Sequence, residues 1–170
     1  AFHAALAILD AVGGVFLVGD FRKRGVTLDL RGDALNHLRV GDREVHFEFG
    51  RSIVGECGEL ITRVLFNKTT ATGRKLLIVD ASMTELIRPA LYGSYHNIEN
   101  ITAETDRTDK YTVVGTACES TDRFDENVSL RRSVRGDLLT IKSAGAYGMS
   151  MASRYNLHDL PGAVYGEDLM

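Results

Sequence analysis

The sequence predicts a mainly β chain, an antiparallel β-barrel or sandwich over residues 45–170 preceded by a short α/β segment over 1–44. Three observations lead there. Runs of β-branched and alternating apolar residues recur from Val45 onward, glycines stand at the corners between them, and helical spacing is confined to the start. The 170 residues, 44% hydrophobic and 25% charged, are enough for one sizeable core.

Residues 2–12 place Phe2, Ala5, Leu6, Ile8, Leu9 and Val12 at helical spacing, and Gly13-Gly14 ends the segment. A short buried strand follows over 15–18, then a charged turn. Residues 26–30 and 45–49 alternate apolar and polar, as half-buried strands do. Residues 59–67 form a long extended stretch. A polar turn over 69–74 leads to its hairpin partner over 75–80. Ser82 caps a short helix over 83–88, with Glu85 placed to complete a capping box, and Pro89 limits its extension. Residues 95–102 are weakly strand-like and 109–118 strongly so. The polar stretch 123–135 reads as a loop, 137–142 as a strand and 144–153 as a close-packed turn. A last strand is expected over 161–165.

Several classes are excluded. The net charge is −3 and no block of Lys or Arg occurs, so nucleic acid is not an expected partner. No apolar run approaches the ~20 residues of a membrane span. The apolar start is broken by Asp10 and lacks a basic lead-in, unlike a signal peptide. Cys57 and Cys118 are too few for a disulfide framework or a zinc site and suit a reducing cytoplasm. His3, His46, His96 and His158 show no ligand spacing, so no metal is expected. The chain opens at Ala1, so a processed or partial chain is expected.

Four clusters could carry chemistry. In Glu48-Phe-Gly-Arg-Ser52, Gly50 permits close backbone approach, Arg51 can grip a phosphate and Glu48 can face a protonated ring nitrogen; a surface ion pair reads equally well. In Leu86-Ile-Arg-Pro-Ala-Leu-Tyr92, Arg88 and Tyr92 stand one helical turn apart, as a carboxylate clamp or as a solvated helix end. Cys118-Glu119-Ser120 puts a thiol, a carboxylate and a hydroxyl in the loop after a strand. The same residues also read as a small buried hydrophobe and a solvated charge. In Ser143-Ala-Gly-Ala-Tyr-Gly-Met149, small residues allow tight packing beneath Tyr147, which also reads as a core aromatic.

Together these clusters resemble the diaminopimelate decarboxylases, pyridoxal-phosphate enzymes of the alanine racemase-like, fold-type III group. The likeness runs from Phe47 to about Pro161. It rests on Gly58-Glu-Leu-Ile-Thr-Arg-Val-Leu-Phe-Asn-Lys68, Leu77-Ile-Val-Asp-Ala81, Arg88-Pro-Ala-Leu-Tyr-Gly-Ser-Tyr-His96, Cys118-Glu-Ser120 and Gly136-Asp-Leu-Leu139 with Ser143-Ala-Gly-Ala-Tyr-Gly148. The resemblance implies the β-barrel domain that follows a (β/α)8 barrel, with residues 1–44 a remnant of that barrel. It implies pyridoxal 5'-phosphate as cofactor and decarboxylation of meso-diaminopimelate to L-lysine in a cytoplasmic homodimer with shared sites. Glu48, Gly50, Arg51 and Tyr147 would bind the cofactor. Arg51, Arg88, Tyr92, Glu119 and Tyr147 would bind the amino-acid substrate, and Cys118 and Glu119 would be catalytic.

Two departures stand out. Phe49 replaces the proline of the family's Glu-Pro-Gly-Arg. None of Lys23, Lys68, Lys75, Lys110 or Lys142 sits in the family's Schiff-base setting, and residues 9–15 are a degenerate match to its Gly-rich phosphate loop. The sequence therefore leaves two alternatives: a non-catalytic β-domain with a dimerisation role, and a sister decarboxylase of another basic amino acid. The Arg88–Tyr92 clamp argues against the sister enzyme, whose substrate lacks a second carboxylate.

Overall fold

A computed structural model describes residues 6–10, 13–17 and 51–165. The chain divides into two compact units, Ala1–Ser52 and Ile53–Met170. In the first unit, β1 (Leu6–Asp10) pairs antiparallel with β2 (Gly13–Leu17), from Leu6↔Leu17 to Asp10↔Gly13. The helical spacing expected over 2–12 is overturned for residues 6–10. There the apolar stretch finds ladder partners in the Val-Phe-Leu run, and pairing outweighs a weak helical period. The strands expected over 26–30 and 45–49 lie outside the described residues.

A one-turn helix, α1 (Arg51–Val54), precedes a 3-10 turn over Gly55–Cys57. The second unit is a six-stranded, nearly closed sheet. Its strands are β3 (Leu60–Thr69), β4 (Lys75–Val79), β5 (Ile98–Asn100), β6 (Thr108–Val114), β7 (Arg123–Arg131) and β8 (Leu138–Ile141), in the order β5-β8-β3-β4-β6-β7. The β3–β4 hairpin expected from the polar turn forms, with Thr69 opposite Lys75. All pairs are antiparallel except β4 with β6, where Leu76 faces Thr112 in parallel. The connection from Asp80 to Arg107 is long enough to make that crossover.

Residues 123–135, expected to be a loop, contain the nine-residue strand β7. It buries Phe124 and Leu130, half-buries Val128 against the core, and otherwise carries charged and polar side chains. Asn127, at φ 58°, lies where the register against β6 shifts, which breaks the alternation a strand would otherwise display. Residues 161–165, expected as a last strand, have no regular structure; Pro161 lacks the N–H a ladder needs.

The sheet curls until its two ends meet. Both terminal nitrogens of Arg131 on β7 donate to backbone carbonyls beside β5, one to Asn100 and one to Ala103 at 3.3 Å. Asn100 in turn donates to Ser133 Oγ and Asp137 Oδ2, each at 2.8 Å. These side chains replace the missing ladder between β5 and β7. Inside lie Val64, Leu77, Val79, Leu86, Ile98, Val113, Phe124, Leu130, Leu139 and Ile141.

Leu139 on β8 is fully buried beside β3 and β5. Leu139→Ala is expected to lower unfolding free energy by about 2–5 kcal/mol, measured by urea denaturation. A loss below about 1 kcal/mol contradicts this core.

Candidate active site

Three connections meet at one group of loops: the turn after β4, the loop between β6 and β7, and the segment after β8. Their contacts follow from residue chemistry. Ser82 and Glu85 form half of the expected capping box: Ser82 N–H donates to Glu85 Oε2 at 2.6 Å, whereas Ser82 Oγ accepts from Thr84 N–H at 3.2 Å and Glu85 N–H donates to Ser82 O at 3.1 Å. They cap only a turn. The helix expected over 83–88 instead begins where it was expected to end, as α2 (Arg88–Tyr92). Pro89 sits in its first turn, where its missing N–H costs nothing, and Gly93 at φ 61° closes it.

That displacement puts Arg88 and Tyr92 at opposite ends of one helical turn. Arg88 is buried, at 8% exposure. Its guanidinium lies 5.8 Å from the Tyr92 ring centre and 5.7 Å from that of Tyr147, and it donates to Ser94 Oγ at 3.2 Å. Both tyrosines are half-exposed or more, so their rings flank the cation at the surface. Tyr147 arrives from a tight turn. A side chain on Gly145 would strike Val54 O and come within 2.8 Å of Gly58 N, so only glycine lets these backbones touch. Ser143 and Tyr147 adopt left-handed backbone on either side of it, at φ 59° and 58°.

The loop after β6 carries the second group. Cys118 is exposed and its N–H donates to Asn156 Oδ1 at 2.7 Å. Glu119 Oε1 accepts from Ser120 Oγ at 3.2 Å and Thr121 N–H at 3.4 Å, while Tyr155 donates to Oε2 at 3.3 Å. The Thr121 N–H first, then the Ser120 hydroxyl and N–H, with Tyr155 after them, hold the Glu119 carboxyl below its ordinary range.

One buried carboxylate ties the groups together. Asp122 accepts Met83 N–H on Oδ1 and Ala117 N–H on Oδ2, each at 2.7 Å. Gly115 admits it: a side chain there would collide with that carboxylate and with Ser82 Cα at 2.6 Å. Burial pushes the Asp122 carboxyl up, against the pull of its two N–H donors, and the charge of Glu85 adds to the rise.

The structure thus brings together Arg88, Tyr92 and Tyr147, and separately Cys118 and Glu119. Arg51 belongs to the first unit, in α1. Glu48 and Gly50 lie outside the described residues. Sequence reasoning missed Ser94, Asp122, Tyr155 and Asn156. The one legible signal was Asn156, a residue type that tolerates left-handed backbone and so marks a turn. Both described histidines have structural partners: His96 Nδ1 meets Lys142 O at 2.9 Å, and His158 Nδ1 meets Thr84 Oγ1 at 3.1 Å. A groove of about 430 Å³ is lined by Glu59, Asp80, Glu85 and Pro161, and none of the expected site residues lines it.

Comparison with known proteins places the chain in a family. Residues 10–145 match the family model "Pyridoxal-dependent decarboxylase, C-terminal sheet domain". A diaminopimelate decarboxylase of Bacteroides thetaiotaomicron is 50% identical over 126 residues, covering 74% of this chain and 32% of the relative. One from Helicobacter pylori is 40% identical over 152 residues, covering 89% of this chain and 37% of the relative. The solved structure of the Helicobacter pylori diaminopimelate decarboxylase complexed with L-lysine superposes with a TM-score of 0.61 at 44% identity, covering 72% of this chain and 30% of that one. The chain therefore spans about a third of the length of the curated relatives it matches.

Because the folded Asp122 carboxyl titrates above its unfolded value near 3.8, its contribution to stability is fully present below that value. It is lost as pH rises through the higher folded value. The difference in unfolding free energy between the wild type and Asp122→Asn is expected to shrink across that window as pH rises. Parallel pH curves for the two proteins contradict the assignment.

Proposed function

From the chain's membership of the family of the C-terminal sheet domain of pyridoxal-dependent decarboxylases, we propose that it supplies the C-terminal part of the active site of an enzyme that decarboxylates meso-diaminopimelate to L-lysine. The observation that carries this reading is the buried Arg88 guanidinium flanked by Tyr92 and Tyr147. A guanidinium and two phenol hydroxyls are donors suited to oxyanions, so they fit both a substrate carboxylate and the phosphate of pyridoxal 5'-phosphate.

In this reading Arg88 and Tyr92 hold the substrate carboxylate remote from the reaction. Tyr147 stands beside the cofactor phosphate and the substrate. Glu48 faces the cofactor ring nitrogen, and Gly50 and Arg51 lie near the phosphate, with Arg51 also reaching substrate. When bound, the cofactor takes up the electron pair released as carbon dioxide departs. The chain's own residues position the diacid and return a proton. Cys118 Sγ donates that proton to the α-carbon. Glu119, kept charged by its donors, holds the distal ammonium group. Cys118 and Glu119 serve the site of a second copy, so the enzyme is a homodimer. Its location is the cytoplasm, and residues 1–44 are a remnant of the preceding barrel.

Among the described residues, lysine placement favours a non-catalytic part: Lys68 lies on β3 and Lys110 on β6. Lys75 is paired to Asp109 at 2.7 Å and Lys142 to Glu99 at 2.8 Å, both on the sheet rather than at the Arg88 group. The lysine that bonds the cofactor is then supplied by the preceding barrel.

In an enzyme containing this segment, Arg88→Ala is expected to raise KM about ten- to a hundredfold, the worth of one charged hydrogen bond. Cys118→Ala is expected to lower kcat about 10²- to 10⁴-fold, as loss of a general acid does. Steady-state kinetics measures both. An unchanged KM for the first removes the clamp, and an unchanged kcat for the second removes Cys118 as proton source.

A further inference from the structure

We propose that Asn156 and Tyr155 are positioning residues, which set the loop bearing Cys118 and Glu119 from the C-terminal segment. This rests on the reading above for Cys118 and Glu119 and adds residues to it.

The segment 153–158 forms a small clip anchored at both ends to the turn after β4. Ser153 N–H donates to Thr84 O at 2.9 Å, and His158 Nδ1 lies 3.1 Å from Thr84 Oγ1 and 3.3 Å from Ser82 Oγ. Within the clip, Leu157 N–H donates to Arg154 O at 3.0 Å. An Arg154–Asp159 ion pair at 3.1 Å lies across its base; being exposed, it adds little.

The tip of the clip is strained. Asn156 and Leu157 are consecutive left-handed residues, at φ 55° and 63°, and the Leu157 side chain is 96% exposed. Leucine gains no burial there to offset a left-handed backbone. What the conformation achieves is at the neighbouring residues. It delivers Asn156 Oδ1 to the N–H of Cys118 at 2.7 Å, and the Tyr155 hydroxyl to Glu119 Oε2 at 3.3 Å. The Cys118 backbone and the Glu119 side chain are thus held by adjacent residues of one turn, 38 and 36 positions away. Asp122 fixes the same loop to Met83, next to the residues that anchor the clip. The loop is therefore braced on two sides from one turn. Small errors in the position of a proton donor are costly in rate.

Asn156→Gly permits the same left-handed backbone and removes the side chain that carries Oδ1. In the intact chain the Cys118 amide is expected to exchange about three- to tenfold faster, the loss of one hydrogen bond. Asn156→Asp, which still accepts, restores the slow rate. In an enzyme containing this segment, Asn156→Gly is expected to lower kcat about ten- to a hundredfold with KM little changed. Tyr155→Phe is expected to raise the Glu119 carboxyl pKa, read by carbon NMR, and to raise KM. Unchanged amide exchange, or faster exchange with kcat intact, overturns the proposal. Should Cys118→Ala and Glu119→Gln impair catalysis while Asn156→Gly and Tyr155→Phe do not, positioning alone fails. Should all four leave catalysis intact, the reading of Cys118 and Glu119 fails with it.

Discussion

The arrangement depends on the carboxylate of Asp122. Each of its oxygens accepts a backbone N–H, one from Met83 and one from Ala117, so a single side chain spans two loops. A buried carboxylate is costly unless it is hydrogen-bonded, and hydrogen bonds to a charged group are worth about 1.5–3 kcal/mol each. The rise in its pKa shows that desolvation is the larger effect there. The carboxylate is therefore a locating device more than a source of stability. It fixes the turn leading to Arg88 and the loop leading to Cys118 in one frame.

Around that frame the molecule divides its work. The barrel supplies rigidity: a core of branched aliphatic residues, closed where Arg131 and Asn100 substitute side-chain bonds for ladder bonds. The loops carry the candidate site residues, and at two glycines they pack backbone against backbone in addition to their side-chain bonds. Gly145 against Gly58, and Gly115 against Ser82, are contacts that a methyl group would prevent. Two chemically distinct groups result. One is cationic and aromatic, built on Arg88. The other is acidic and thiol-bearing, built on Cys118 and Glu119. In the proposed function, the two groups meet the opposite charges of one long substrate.

Much of this was legible in the residues, for identifiable reasons. β3, β4, β6 and β8 carry apolar or β-branched runs bounded by glycine or polar turns, and strands form at each of them. β7 was hidden because its exposed positions are charged and Asn127 interrupts its period. The α2 helix was shifted by one turn because Pro89 was read as a stop, whereas it serves as a start. At the site, the spacing of Arg88 and Tyr92 is local and readable from sequence. The arrival of Tyr147 at the same guanidinium is not, since it depends on glycine contacts between distant segments. Tyr155 and Asn156 are equally hard to read from sequence, since two barrel strands, β7 and β8, separate them from their partners.

The most direct test is crystallographic: an enzyme containing this segment, bound to an unreactive analogue of meso-diaminopimelate. The account predicts a ligand carboxylate oxygen within about 3 Å of the Arg88 guanidinium and a ligand ammonium at similar distance from a Glu119 carboxylate. An analogue seated in the active site with its carboxylates away from Arg88 and its ammonium groups away from Glu119 of either copy would contradict it.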